Sequence, residues 1–178
     1  MLSKSFSRLA LIAAMGLAGI SAAHAADQGH GTVTFTGSII DAPCSISPDS
    51  IDQTVPLGQV SDSALANQGT STPVPFQIKL EGCVLDENNS VSATFAGMAD
   101  STDDSMLGLS GTAQGAGIVI ADQSGQQLDL GTASNAQTLL EGDNSLQFSA
   151  YLKGDAGLKA KVVPGDFQSV ANFSLAYQ

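Results

Sequence analysis

The stretch "ANFSLAYQ", residues 171–178, alternates. Ala171, Phe173, Leu175 and Tyr177 fall on one side, and Asn172, Ser174, Ala176 and Gln178 on the other. Successive side chains of a strand point to opposite faces, so the pattern predicts a half-buried β-strand. Similar short runs recur upstream: "TVTFTGSII", "TVPLGQV", "VPFQIKLEGC", "VSATFAG", "AGIVIAD", "QLDLG" and "SLQFSAYLKG". Gly, Asp, Asn and Ser punctuate them. Seven to nine short strands separated by turn signals predict an all-β sandwich. No heptads, internal repeat or long 3.6-residue period compete with that reading. Residues 98–116 read as a Gly/Ser/Asp-rich loop whose Met106-Leu107-Gly108-Leu109 packs down on the core. Residues 61–71 have room for one helical turn.

The terminal strand poses a problem. No turn and no returning strand follow Tyr177, and an open, alternating edge invites aggregation. Another strand is expected to fill the gap. The surplus candidate is "ADQGHGTVTF", residues 26–35, with Asp27, Gly29, Gly31, Val33 and Phe35 on one side. Ten extended residues reach about 33 Å, enough to run the length of a small sandwich. Its glycines permit close backbone approach.

Ahead of it, Lys4 and Arg8 precede an apolar run from Leu9 to Ile20 and the small-residue ending Ala23-His24-Ala25. This predicts a secretory signal peptide over 1–25, cleaved after Ala25. The run is short for a membrane span, which needs about 20 residues. The expected organisation is signal peptide 1–25, extension 26–36 and one domain over 37–178.

Export changes the meaning of the remaining chemistry. Cys44 and Cys83 are predicted to form a structural disulfide, the expected fate of an even pair in an oxidising compartment. A metal or redox role fits poorly, because the spacing is not C-x-x-C and His30 is the one histidine after the leader. The chain carries a formal net charge of −11, and two of its six basic residues lie in the leader. Nucleic acid is therefore excluded as a partner, since phosphate binding needs a basic patch. No P-loop, G-x-S-x-G, H-E-x-x-H or EF-hand occurs, and Asp103-Asp104 read as solvated loop acids. No catalytic residue, metal or cofactor is expected, and the chain is not read as an enzyme.

"GTVTFTGSIIDAPCSISPDS", the cysteine of "IKLEGC" and the ending "VPGDFQSVANFSLAYQ" resemble the major subunits of chaperone–usher pili, of the P-pilus and MR/P types. Gly165, fourteenth from the end, and the penultimate Tyr177 carry the most specific part of the likeness. The resemblance implies an incomplete immunoglobulin-like sandwich lacking its final strand. It implies that Gly165, Phe167, Ala171, Phe173, Leu175, Tyr177 and Gln178 edge a groove. A periplasmic chaperone would lend a strand to that groove and hold the Gln178 carboxylate. At the outer-membrane usher, the extension of the next subunit would replace it, using Asp27, Gly29, Gly31, Val33 and Phe35. Gly29 matches the glycine the family places at the narrowest point. Asp27 departs from the pattern, being charged where a small or apolar residue seats better, which leaves a register shifted by two open. The implied partners are copies of itself and other fimbrial subunits, with the assembled fibre meeting host cells. The alternatives are a minor adaptor or adhesive subunit of such a fimbria, or a stand-alone secreted binding module.

Overall fold

The computed structural model describes residues 31–85, 89–157 and 161–178. The leader, Asp27 and Gly29 lie outside these. The chain divides between Ile39 and Ile40, and the compact unit runs from Ile40 to Gln178.

That unit is built from short strands. In order they are β1 (Ser45–Ile46), β2 (Val74–Cys83), β3 (Ser90–Gly97), β4 (Ser110–Gly111), β5 (Ala116–Asp122), β6 (Gln127–Leu128), β7 (Gln137–Thr138), β8 (Gly142–Gly154), β9 (Phe167–Gln168) and β10 (Ala171–Tyr177). Two single-turn helices, α1 (Pro48–Ile51) and α2 (Asp62–Leu65), precede β2. The second is the turn expected within 61–71. Ser61 caps it by accepting the Ala64 N–H, and a 3₁₀ turn over Ala66–Gln68 follows.

The strands form a five-stranded sheet, order β1-β2-β8-β5-β6, and a three-stranded sheet, order β10-β3-β7. A small ladder joins β4 to β9. All pairings are antiparallel. The core lies between the two larger sheets. Phe76 and Phe148 are direct partners on β2 and β8, and Phe95 and Phe173 are direct partners on β3 and β10. Phe95 meets Phe148 edge-on at 5.1 Å between ring centroids, and Phe76 at 6.1 Å. Edge-to-face contact suits the ring quadrupoles, so these rings join the sheets at their centre.

Alternation explains β8, where Leu146, Phe148, Ala150 and Leu152 are all buried. It does not describe β5, which is buried on both faces. The loop after β3 supplies the second cover: Met106 packs on Gly117, and Leu107 bonds to Ile118 in both directions. Met106 to Leu109 thus pack down as expected, and the stretch read as loop at 98–116 holds no strand apart from β4 and Ala116, the first residue of β5.

Two expected strands are absent. Residues 31–40, covering "TVTFTGSII", and residues 54–60, "TVPLGQV", have no strand pairing. Alternation creates an amphipathic ribbon, but a strand also needs a neighbouring edge to bond. In addition, Pro56 lacks an N–H to donate.

The disulfide depends on a bulge. Ile78 and Leu80 point inward and are fully buried. Strict alternation would turn Cys83 outward. Between Leu80 and Cys83 the register against β8 slips by one residue, with Gly82 at φ 59°, a left-handed conformation that favours glycine. Cys83 therefore points inward, 2% exposed, and bonds Cys44.

Candidate functional site

The site is a strand edge, unpaired among the described residues, beside an apolar cleft. β10 pairs with β3 from Ala171–Gly97 to Tyr177–Val91 and is the outermost strand of its sheet. Gln178 and Ser90 exchange both backbone bonds, at 2.9 and 3.1 Å. Hydrogen-bonded and non-bonded pairs alternate along an antiparallel ladder. Asn172, Ser174 and Ala176 therefore bond to β3. Ala171, Phe173, Leu175 and Tyr177 each turn one N–H and one C=O to the open edge.

The same alternate residues point their side chains inward, since backbone groups and side chains share the two-residue period. Phe173, Leu175 and Tyr177 are only half-buried and pack against the core, whereas Ala171 is exposed. Burial pushes the Tyr177 phenol pKa up. Gln178 adds its backbone oxygen, which accepts N–H bonds from Asn89 and Ser90 and a hydroxyl bond from Ser90.

Beside this edge lies a cleft of about 910 Å³. One wall is the strandless segment 50–60; the other is 162–173. Phe76, Phe95, Ile118 and Leu152 form its apolar floor. Val55, Leu57 and Val60 are half-buried along the first wall, so "TVPLGQV" keeps its amphipathic character without a partner. Gly165 and Phe167 belong to the second wall, and Phe167 pairs with Gly111. The groove-edge residues read from the sequence thus form two groups, a strand edge at 171–177 and a wall ahead of it. Only Ala171 and Phe173 belong to both.

Of the N-terminal candidates, Gly31, Val33 and Phe35 are described, and no strand includes them. Val33 is 74% exposed and Phe35 90%. The exposed alternation continues beyond Phe35 through Gly37 to Ile39. Sequence reading missed the 110–115 segment, which bonds to the second wall. Its signals are the glycines at 111 and 115, whose role depends on what they approach. Among the described residues, no group of histidine, cysteine or carboxylate side chains is arranged to hold a metal ion.

Comparison with known proteins follows the same lines. The family described as "Fimbrial protein" matches residues 33–178. The chain is 55% identical to the Fimbria A protein of Serratia marcescens over 170 residues, 96% of each chain. It is 50% identical to the Major MR/P fimbria protein of Proteus mirabilis, over 96% of this chain and 98% of that one. A subunit in a solved chaperone–usher pilus superposes with a TM-score of 0.75 at 35% identity, covering 85% of this chain and 97% of that one. The P pilus rod subunit superposes with a TM-score of 0.69 at 33% identity, covering 77% and 100%.

Proposed function

The chain belongs to the fimbrial protein family, and from that premise we propose that it is a structural subunit, the major one, of a chaperone–usher fimbria. It polymerises head-to-tail by donating its N-terminal strand to the groove of a neighbouring copy. The observation that carries this reading is the unpaired edge of β10 above an apolar cleft, in a chain with its own exposed alternating segment. Adding a strand to an exposed edge combines backbone bonds with pockets for alternate side chains. A head-to-tail contact of this kind does not close, so it builds a filament.

The cleft also favours a direction. An antiparallel donor continues the pattern of the existing sheet. It places donor residues nearest their own domain beside 162–173, where the cleft is deep, and its first residues beside Leu175 and Tyr177. Glycines suit the second place and large apolar side chains the first. The donor segment is inferred to continue past residue 36 to Ile39, the last residue before the compact unit, with Val33, Phe35, Gly37 and Ile39 facing inward. Burying Val33, Phe35 and Ile39 contributes about 1.5–3 kcal/mol each. Backbone bonds add about 0.5–1.5 kcal/mol apiece before ordering costs.

Before assembly the same edge and cleft need a temporary cover, supplied by a periplasmic chaperone and released at an outer-membrane usher. The acidic chain suits contacts dominated by backbone pairing and apolar burial rather than by charge. The fibre stands on the cell surface and serves adhesion.

The direct test is SDS gel electrophoresis of sheared surface material, unheated and heated, probed for this chain. High-mass bands that collapse on heating to one band near the mature mass are expected, because a joint coupled to core completion opens slowly. A single unheated monomer band from cells exporting the chain would overturn the reading.

A further inference from the structure

One wall of the cleft, residues 162–168, belongs to neither large sheet and is carried by the segment 110–115. The Val163 N–H donates to the Gln114 carbonyl at 2.8 Å, and the Gln114 N–H donates back at 3.2 Å. The Thr112 and Ala113 N–H groups both donate to the Asp166 carbonyl, at 2.9 and 3.2 Å. The Asp166 N–H donates to the Thr112 hydroxyl at 3.1 Å. The β4–β9 ladder, Ser110–Gln168 and Gly111–Phe167, extends the contact.

Such close approach needs glycine on both sides. A Cβ on Gly165 would lie 2.6 Å from the Ala113 nitrogen. One on Gly115, at φ 82°, would run into the Lys161 carbonyl. Neither distance is attainable for a real side chain without moving backbone.

Two consequences follow. Val163 and Asp166 already spend their backbone groups on 110–115, so a donor strand passing this wall meets it chiefly through side chains. The backbone bonds of this stretch run to 110–115 and to neither large sheet. Val162 and Phe167 are the wall's apolar side chains against the core.

We propose that residues 110–115 are a clasp that sets the width of the donor groove at its Phe167 end. Thr112 is its positioning residue, acting through Asp166 on the fit of the donor's Ile39. The inference rests on the donor-strand reading above and adds to it a determinant of how tightly a given donor is held.

The test uses the mature full-length chain, refolded with an excess of a peptide of residues 26–40, and follows peptide release. Thr112→Val keeps the shape and removes the hydroxyl. It is expected to speed release about two- to tenfold, the range for one lost hydrogen bond. Gly165→Ala, which displaces the wall itself, is expected to have the larger effect. The deciding measurement is a double-mutant cycle against Ile39→Ala and Val33→Ala peptides. The penalty for Ile39→Ala should shrink in the Thr112→Val chain, while that for Val33→Ala stays the same. Unchanged release, or an equal speeding for all peptides with no coupling to Ile39, would overturn the clasp. If the unaltered chain fails to retain the unaltered peptide, the donor-strand reading itself fails, and the clasp with it.

Discussion

Phe173 lies directly opposite Phe95 across the β10–β3 pair, with ring centroids 6.5 Å apart. Phe95 is 4% exposed, whereas Phe173 is half-buried at the border of the cleft. One ring completes the core of the isolated subunit; the other waits for a cover. Phe95→Ala should therefore cost about 3–5 kcal/mol under all conditions. Phe173→Ala should cost less in the free chain and more once a donor peptide is bound. Denaturant unfolding with and without the peptide measures both. An equal cost for Phe173→Ala in the two states would mean that the donor does not cover this ring.

The Cys44–Cys83 bond spans a sequence separation of 39. In the chain-entropy model a loop of that size contributes about 4 kcal/mol. The double variant Cys44→Ala/Cys83→Ala should lose stability of that order, measured as a lower denaturant midpoint with a steeper slope, because the unfolded chain without the cross-link exposes more surface. Gly82→Val should mimic part of this loss in an oxidised chain, because a β-branched residue at that φ strains the bulge that turns Cys83 inward.

These two cases show what the sequence made legible. The period-two pattern identified β2, β3, β8 and β10, because each has an apolar face and a partner edge, whereas β5 stands out as the short apolar run "AGIVIAD", buried on both faces. The pattern gave equal weight to 54–60 and 31–40, which have it without the partner. Amphipathicity is local, but pairing is a property of two segments. The division of the groove edge was hidden for the same reason. Ala171 to Tyr177 declare themselves by alternation, whereas Gly165 matters through what it touches, the backbone of Thr112 and Ala113. Nothing in "LSGTAQGAG" names that partner.

Asp155 supplies a pH-dependent prediction. Burial, then the Asp100 carboxylate and more weakly Asp103, push its pKa above the ordinary carboxylate range, with Thr102 opposing. Its buried Oδ1 has no hydrogen-bond partner among the described residues. The folded state thus holds this proton more tightly than the unfolded chain. The stabilising contribution is complete below the unfolded pKa, about 3.9 for aspartate, and is lost as pH rises through the raised folded value. Asp155→Asn should therefore be more stable than the unaltered chain at pH 7, with the advantage fading towards pH 3. Thermal melts across that range test it, and an advantage independent of pH would refute the assignment.

The N-terminal segment gives the prediction that separates assembly from folding. Val33, Phe35 and Ile39 are exposed and lie outside the compact unit, which begins at Ile40. Their replacement should leave the stability of that unit unchanged. Deleting 26–36, or introducing Val33→Asp with Phe35→Asp, should leave a chain that still forms a complex with its chaperone but adds no further subunit to a polymer. Gly165→Ala and Tyr177→Ser alter the acceptor instead, so they should weaken chaperone capture and expose the chain to periplasmic proteolysis. The two classes should also complement each other in one direction. A chain with a defective donor can still accept the extension of an unaltered copy, and so should start a fibre but never join the growing end. A chain with a defective groove should fail to enter one at all. Mixing each variant with unaltered subunits and measuring fibre length distinguishes these outcomes. Full-length polymers from the donor deletion alone would show that the fibre is joined through some other surface.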